Sequence, residues 1–147
     1  MRSTGVINAL KEIAAKEVDL AAEALAMAIK VAGEAESKHA MLREYREDYL
    51  KSLNNLMESG MGAELYRNFQ NFFNKLDQAV NAQGEVLAFA EKQVQRQREL
   101  WQESQRKKLS YDVLTKRVNK REQKVQQKRD QNMMDEFAMR AGRVRHS

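Results

Sequence analysis

Few side chains here could do chemistry. The histidines are His39 and His146, and there is no cysteine. Thiolate metal sites and disulfides are therefore excluded, and one histidine far from another makes no metal pair. Neighbouring carboxylates occur at Glu47–Asp48 and Asp135–Glu136. General acid–base work needs such carboxylates in a concave pocket, and an exposed rod offers these two pairs none. Neither a phosphate-binding glycine loop nor a helical His–Glu–x–x–His motif is present. The residues point to no enzyme, no cofactor and no metal. What remains is one row of cations at helical spacing: Lys116, Arg117, Lys120, Arg121, Lys124, Lys128 and Arg129. Such a row neutralises an acidic surface, either protein or the phosphates of nucleic acid. Glutamines interleave it and no aromatic ring is available for base stacking, which weighs against nucleic acid.

The elements that carry this row are long helices. The 147 residues include no proline, which costs about 3 kcal/mol inside a helix. Ile7, Ala14, Ala21, Ala28, Ala35, Leu42, Tyr49 and Leu56 recur every seventh residue, as do Phe73, Val80, Leu87, Val94 and Trp101. A helix brings such residues to one stripe, and a long apolar stripe needs another helix to cover it. Ser59-Gly60-Met61-Gly62 separates the two stripes. The pattern predicts an all-α antiparallel two-helix coiled-coil hairpin as a single domain over 1–147. Its first helix spans about 4–59 with Ser3 or Thr4 as cap, its turn 60–62, and its second helix about 63–141. Gly60 would end the first helix in the left-handed conformation, and Glu64 would favour the positive end of the second.

A reversal centred near residue 60.5 pairs residues whose numbers sum to about 121. Thr4 then faces Arg117, and 119–141 form a C-terminal overhang without a partner helix. Charge divides at a similar point. From Gln105 to Ser147 there are 13 Lys and Arg against 5 Asp and Glu, a net of +8; the first 104 residues carry −3. The same pairing sets Leu42 against Ala79, Tyr45 against Leu76 and Tyr49 against Phe72. That is more apolar area than a two-helix seam covers, and leftover area of this kind marks a docking strip, unless it is ordinary seam or is buried in a homodimer. Gly33 and Gly84 fall about one turn apart across the seam, as a close-packing point or a bend. The apolar run from Val18 to Ala32 is broken by Asp19, Glu23 and Lys30, too polar to cross a bilayer.

Near the C-terminus, Met134-Asp135-Glu136-Phe137-Ala138-Met139-Arg140-Ala141 resembles the terminal signature of the flagellar export protein FliJ family. Leu10-Lys11-Glu12, Lys16-Glu17-Val18, the Gly60-Met61 turn and Met41-Leu42 with Tyr45 and Tyr49 fit the same family, in order and without gaps. The resemblance implies a non-enzymatic, stalk-like component of the flagellar type III export apparatus. It implies as partners the export ATPase FliI with its regulator FliH, the membrane export gate FlhA, and flagellar export chaperones. The implied location is the bacterial cytoplasm, peripheral at the inner membrane beneath the flagellum. The family's gate-facing surface maps onto Leu42, Tyr45, Tyr49, Phe72, Leu76 and Ala79. Lys38 and Gln83 depart from the family pattern, which has glutamine and histidine there. Engagement of the ATPase ring is expected from Arg117, Lys120, Arg121, Lys124 and Lys128 with Met134, Phe137 and Arg140. The alternatives are a nucleic-acid-binding basic coiled coil and the equivalent stalk of a virulence-type secretion system.

Overall fold

A computed structural model describes residues 2–146, with side chains for 5–143. It has two helices, α1 (Arg2–Glu58) and α2 (Ala63–His146). Helix α1 begins before the expected Ser3 or Thr4 cap, whose side chains lie outside the described residues, as does that of His146. Helix α2 continues through Gly142 rather than stopping before it, since a single glycine weakens a helix by only about 1 kcal/mol.

The reversal is local. The Ser59 backbone N–H donates to the Asn55 carbonyl at 3.2 Å, and the Ser59 hydroxyl donates to the carbonyls of Asn55 and Leu56 at 3.1 and 3.3 Å. Gly60 follows at φ +90°, a region any Cβ would strain. Gly62 then supplies the carbonyl that accepts the first α2 bond, from the Tyr66 N–H at 3.0 Å. Glu64 sits in the first turn, as the helix dipole favours.

Packing resolves the chain into two units, Leu20–Gln102 and the pair Met1–Asp19 with Glu103–Ser147. In the first unit each helix hides two columns of residues, alternately four and three apart. On α1 they are 21, 28, 35, 42, 49 and 25, 32, 39, 46, 53; on α2 they are 69, 76, 83, 90, 97 and 73, 80, 87, 94, 101. This alternation is knobs-into-holes packing. Sequence periodicity exposes only one column per helix. The other column is interrupted by His39 and Arg46 on α1 and by Gln83 and Gln97 on α2, so it does not read as apolar. Leu53 belongs to that second column and is buried. Leu56, expected in the stripe, is exposed, because α1 ends two residues later.

Two of these polar seam residues make hydrogen bonds across the seam. Arg46 donates to Asp77 at 2.8 Å, and the Gln83 side-chain amide donates to the Ala35 carbonyl at 3.3 Å. The His39 ring lies over Gly84, its Nε2 3.2 Å from where a Cβ would stand. Gly84 is therefore a close-packing glycine. Gly33 is exposed, with nothing within 4 Å of a built Cβ, so packing does not require it. The residue numbers of facing partners in this unit sum to between 118 and 123, bracketing the predicted 121.

In the second unit Ile7, Lys11, Ala14 and Val18 of α1 are shielded, with Ser104, Tyr111, Thr115 and Val118 of α2. Lys11 pairs with Asp112 and Glu17 with Lys107, each at 3.3 Å. Past Val118 the alternation ends, and every residue from 119 to 141 is exposed. The expected overhang is present.

The two mid-helix glycines give different expectations. Gly33→Ala should stabilise the protein by about 1 kcal/mol, the helix-propensity difference. Gly84→Ala should gain less, because its methyl meets the His39 ring. In a His39→Ala background that deficit should vanish. Thermal melting of the two single variants and the double variant checks this; equal gains at both positions would contradict the contact.

Candidate interaction surfaces

Two groups of side chains outside the seam could bind something. The first lies in the Leu20–Gln102 unit near the turn. Tyr49 is half-buried, with its ring 5.3 Å from Phe69 in a stack and 4.9 Å from Phe72 at a tilt. Its hydroxyl donates to the Phe69 carbonyl at 3.4 Å. Burial between these rings raises the phenol pKa above its ordinary value, with Tyr45 adding to the effect. Tyr45 and Phe72 remain open, at 52% and 42% exposure.

The six residues expected to face the gate thus share one stretch of the hairpin but not one environment. Leu76 is buried in the seam, and Leu42, Tyr49 and Ala79 are half-buried. Only Tyr45 and Phe72 are exposed. Leu76 and Tyr49 can support such a surface without forming its outer layer. Phe69 was missed by sequence reasoning, although it stands four residues before Phe73, as the seam alternation requires. Lys38 is exposed, and Gln83 is engaged with the α1 backbone.

The second group is the unpartnered end of α2. Arg117, Lys120, Arg121, Lys124, Lys128, Met134, Phe137 and Arg140 are all exposed. Arg117, Arg121, Lys124 and Lys128 are spaced four, three and four apart, so they form one cationic face. Met133, Met134 and Phe137 form a separate apolar face, with Phe137 at 75% exposure, flanked by Arg140. Flexible methionines beside an aromatic ring suit an adaptable protein contact. The cations and the apolar patch therefore occupy different faces of the same helix.

Among the described residues, no group of His, Asp and Glu could hold a metal ion, and no helix is long and apolar enough to cross a membrane.

The family model described as "Flagellar FliJ protein" matches residues 5–147. The chain belongs to the FliJ family. It is 30% identical over 141 residues to a flagellar FliJ protein of Salmonella typhi and 29% identical to that of Escherichia coli K12. Each comparison covers 96% of both chains. No solved structure matches the chain. Membership of the FliJ family agrees with the resemblance carried by the C-terminal signature and the turn, and with a flagellar rather than a virulence setting.

The environments of the aromatic strip order its substitutions. Tyr49→Ala should cost about 2 kcal/mol, since it removes a half-buried ring packed on two others. Tyr45→Ala should cost under about 0.5 kcal/mol, as exposed positions usually do. Urea titration of both variants measures this. A Tyr45 variant as unstable as the Tyr49 variant would show that Tyr45 belongs to the core.

Proposed function

We propose that this FliJ-family protein is a non-enzymatic, stalk-like component of the flagellar type III export apparatus. It couples an export ATPase to the membrane export gate and escorts export chaperones. The carrying observation is that the side chains left over by the seam fall into separate patches: an aromatic strip near the turn and a bare cationic helix at the C-terminal end. A coupling element needs such separated contacts, one for each body it links.

On this reading the open end of the hairpin, with Arg117, Lys120, Arg121, Lys124 and Lys128, enters the ring of the ATPase FliI and faces acidic surfaces there. Exposed like-sign charges steer association more than they add affinity. Met134, Phe137 and Arg140 add a short-range contact that supplies the specificity which screened charges lack. Tyr45 and Phe72, supported by Leu42, Tyr49, Leu76 and Ala79, meet the gate FlhA. Aromatic anchors of this kind often dominate a protein interface. FliH acts through its ATPase, and the protein works at the cytoplasmic face of the inner membrane.

Charge reversal at Arg117, Arg121, Lys124 and Lys128 should reduce stimulation of the ATPase while leaving the melting temperature unchanged, because all four are exposed. Added salt should mimic the variant on the wild type. In the same preparations, Tyr45→Ala with Phe72→Ala should weaken gate binding about tenfold or more and spare ATPase stimulation. A nucleic-acid role makes the opposite forecast: tight DNA or RNA binding with a steep salt slope, lost on charge reversal, and no effect on the ATPase. Unchanged stimulation in the charge-reversed protein would overturn the coupling reading.

A further inference from the structure

The overhang keeps the spacing of the seam after the seam has lost its partner. The two columns that α2 hides run on past Val118. One continues as Val125, Asn132 and Met139, the other as Glu122, Arg129, Glu136 and Arg143. Steps of four and three still alternate between them, so the columns stay adjacent on the helix. Val125 and Met139 are exposed here.

The charges on this face follow an order. The second column alternates in sign: Glu122, Arg129, Glu136, Arg143. Beside the first column, Lys128 is followed one heptad later by Asp135. Reversing the direction of the helix exchanges each charge for its opposite. Arg129 trades places with Glu136 and Glu122 with Arg143, each pair of numbers summing to 265. Lys128 trades with Asp135, summing to 263. Val125 trades with Met139, summing to 264, which leaves Asn132 in its own place. Three neighbouring columns thus share one centre near residue 132. A parallel pair in register would instead set every charge against its own kind.

The cations find no counterpart on their own helix. A helical side chain reaches the residues three and four away. Around Lys128 these are Lys124, Val125, Gln131 and Asn132; around Arg129 they are Val125, Gln126, Asn132 and Met133. None is acidic. Asp135 accepts a hydrogen bond from the neutral Gln131 amide at 3.2 Å, which leaves its charge uncompensated. Glu122 is already engaged within this chain and would share its carboxylate, so the stronger evidence is the Arg129, Glu136, Lys128 and Asp135 set.

We infer that the overhang pairs with the overhang of a second copy of this chain, antiparallel about a two-fold axis near Asn132. In such a contact each interaction occurs twice. Arg129 of one copy meets Glu136 of the other, Lys128 meets Asp135, and Val125 lies against Met139. Polar seam positions fix the register at a cost in stability, so the dimer is weak and reversible. The inference does not rest on the coupling role. Pairing does occupy the segment that ring entry needs free, so the paired form is withheld from the ATPase.

Sedimentation equilibrium of the full-length protein over a range of concentrations tests this. The wild type should dimerise reversibly below about 0.2 mM. Lys128→Glu with Arg129→Glu should weaken the dimer about tenfold or more, and so should Asp135→Lys with Glu136→Arg. All four substitutions together should restore it, because every pair is then reversed. The four sites are exposed, so melting of the hairpin should not move. Direction is read by cross-linking, since the chain has no cysteine of its own. Asn132→Cys should give a disulfide-linked dimer on mild oxidation. Asn119→Cys should not, because antiparallel pairing holds the two copies of residue 119 about 40 Å apart. A monomer at every concentration, a dimer that the charge reversals leave unchanged, or no restoration in the fourfold variant would overturn the proposal. So would cross-linking at 119 as ready as at 132.

Discussion

Two helices packed in knobs-into-holes fashion can bury only two columns of residues each, and the rest of this protein follows from that limit. The 4-3 alternation from 21 to 53 on α1 and from 69 to 101 on α2 uses the whole allowance. Within the Leu20–Gln102 unit the other large apolar side chains, Met61 apart, are left at the surface. In a globular domain such residues would find a third layer. In a hairpin they stay available, and exposed apolar clusters of this size mark interaction surfaces. The seam that gives the protein its fold thereby also determines where partners can be met.

The seam itself is modest. Its alanines and its polar column bury little area, so apolar burial alone would tolerate a slipped register. The polar contacts discriminate. The Arg46–Asp77 pair, the Gln83 amide on the Ala35 carbonyl and the His39 ring over Gly84 are each satisfied in a single register. Moving one helix by a heptad would leave the Arg46 guanidinium and the Gln83 amide without these partners. A partly exposed ion pair contributes under about 1 kcal/mol, so these groups act mainly by making alternatives worse, as polar seam residues do in other coiled coils.

Much of the fold was legible from residue order because long helices obey simple arithmetic. The seven-residue recurrence, the glycine pair at 60 and 62 and the pairing sum near 121 were enough to place the turn and the start of the overhang. The second seam column was not legible. Its His39, Arg46, Gln83 and Gln97 look like surface residues until a facing backbone or carboxylate is known. The aromatic strip was read as one surface, yet Leu76 is enclosed and Tyr49 is held by Phe69 and Phe72, because spacing alone does not say which side of a column faces the partner helix. The cationic row was visible in both its spacing and its exposure, since nothing lies opposite it to alter either.

Amide hydrogen exchange with each partner in turn tests most directly whether leftover surfaces define separate contacts. Unpartnered helix exchanges faster than helix held in a seam, so residues 119–141 start with little protection. The ATPase should slow exchange across 116–141 and leave the strip around Tyr45 and Phe72 unchanged, whereas the gate's cytoplasmic domain should do the reverse. Protection of one common segment by both partners, or none in 116–141 on adding the ATPase, would contradict the account.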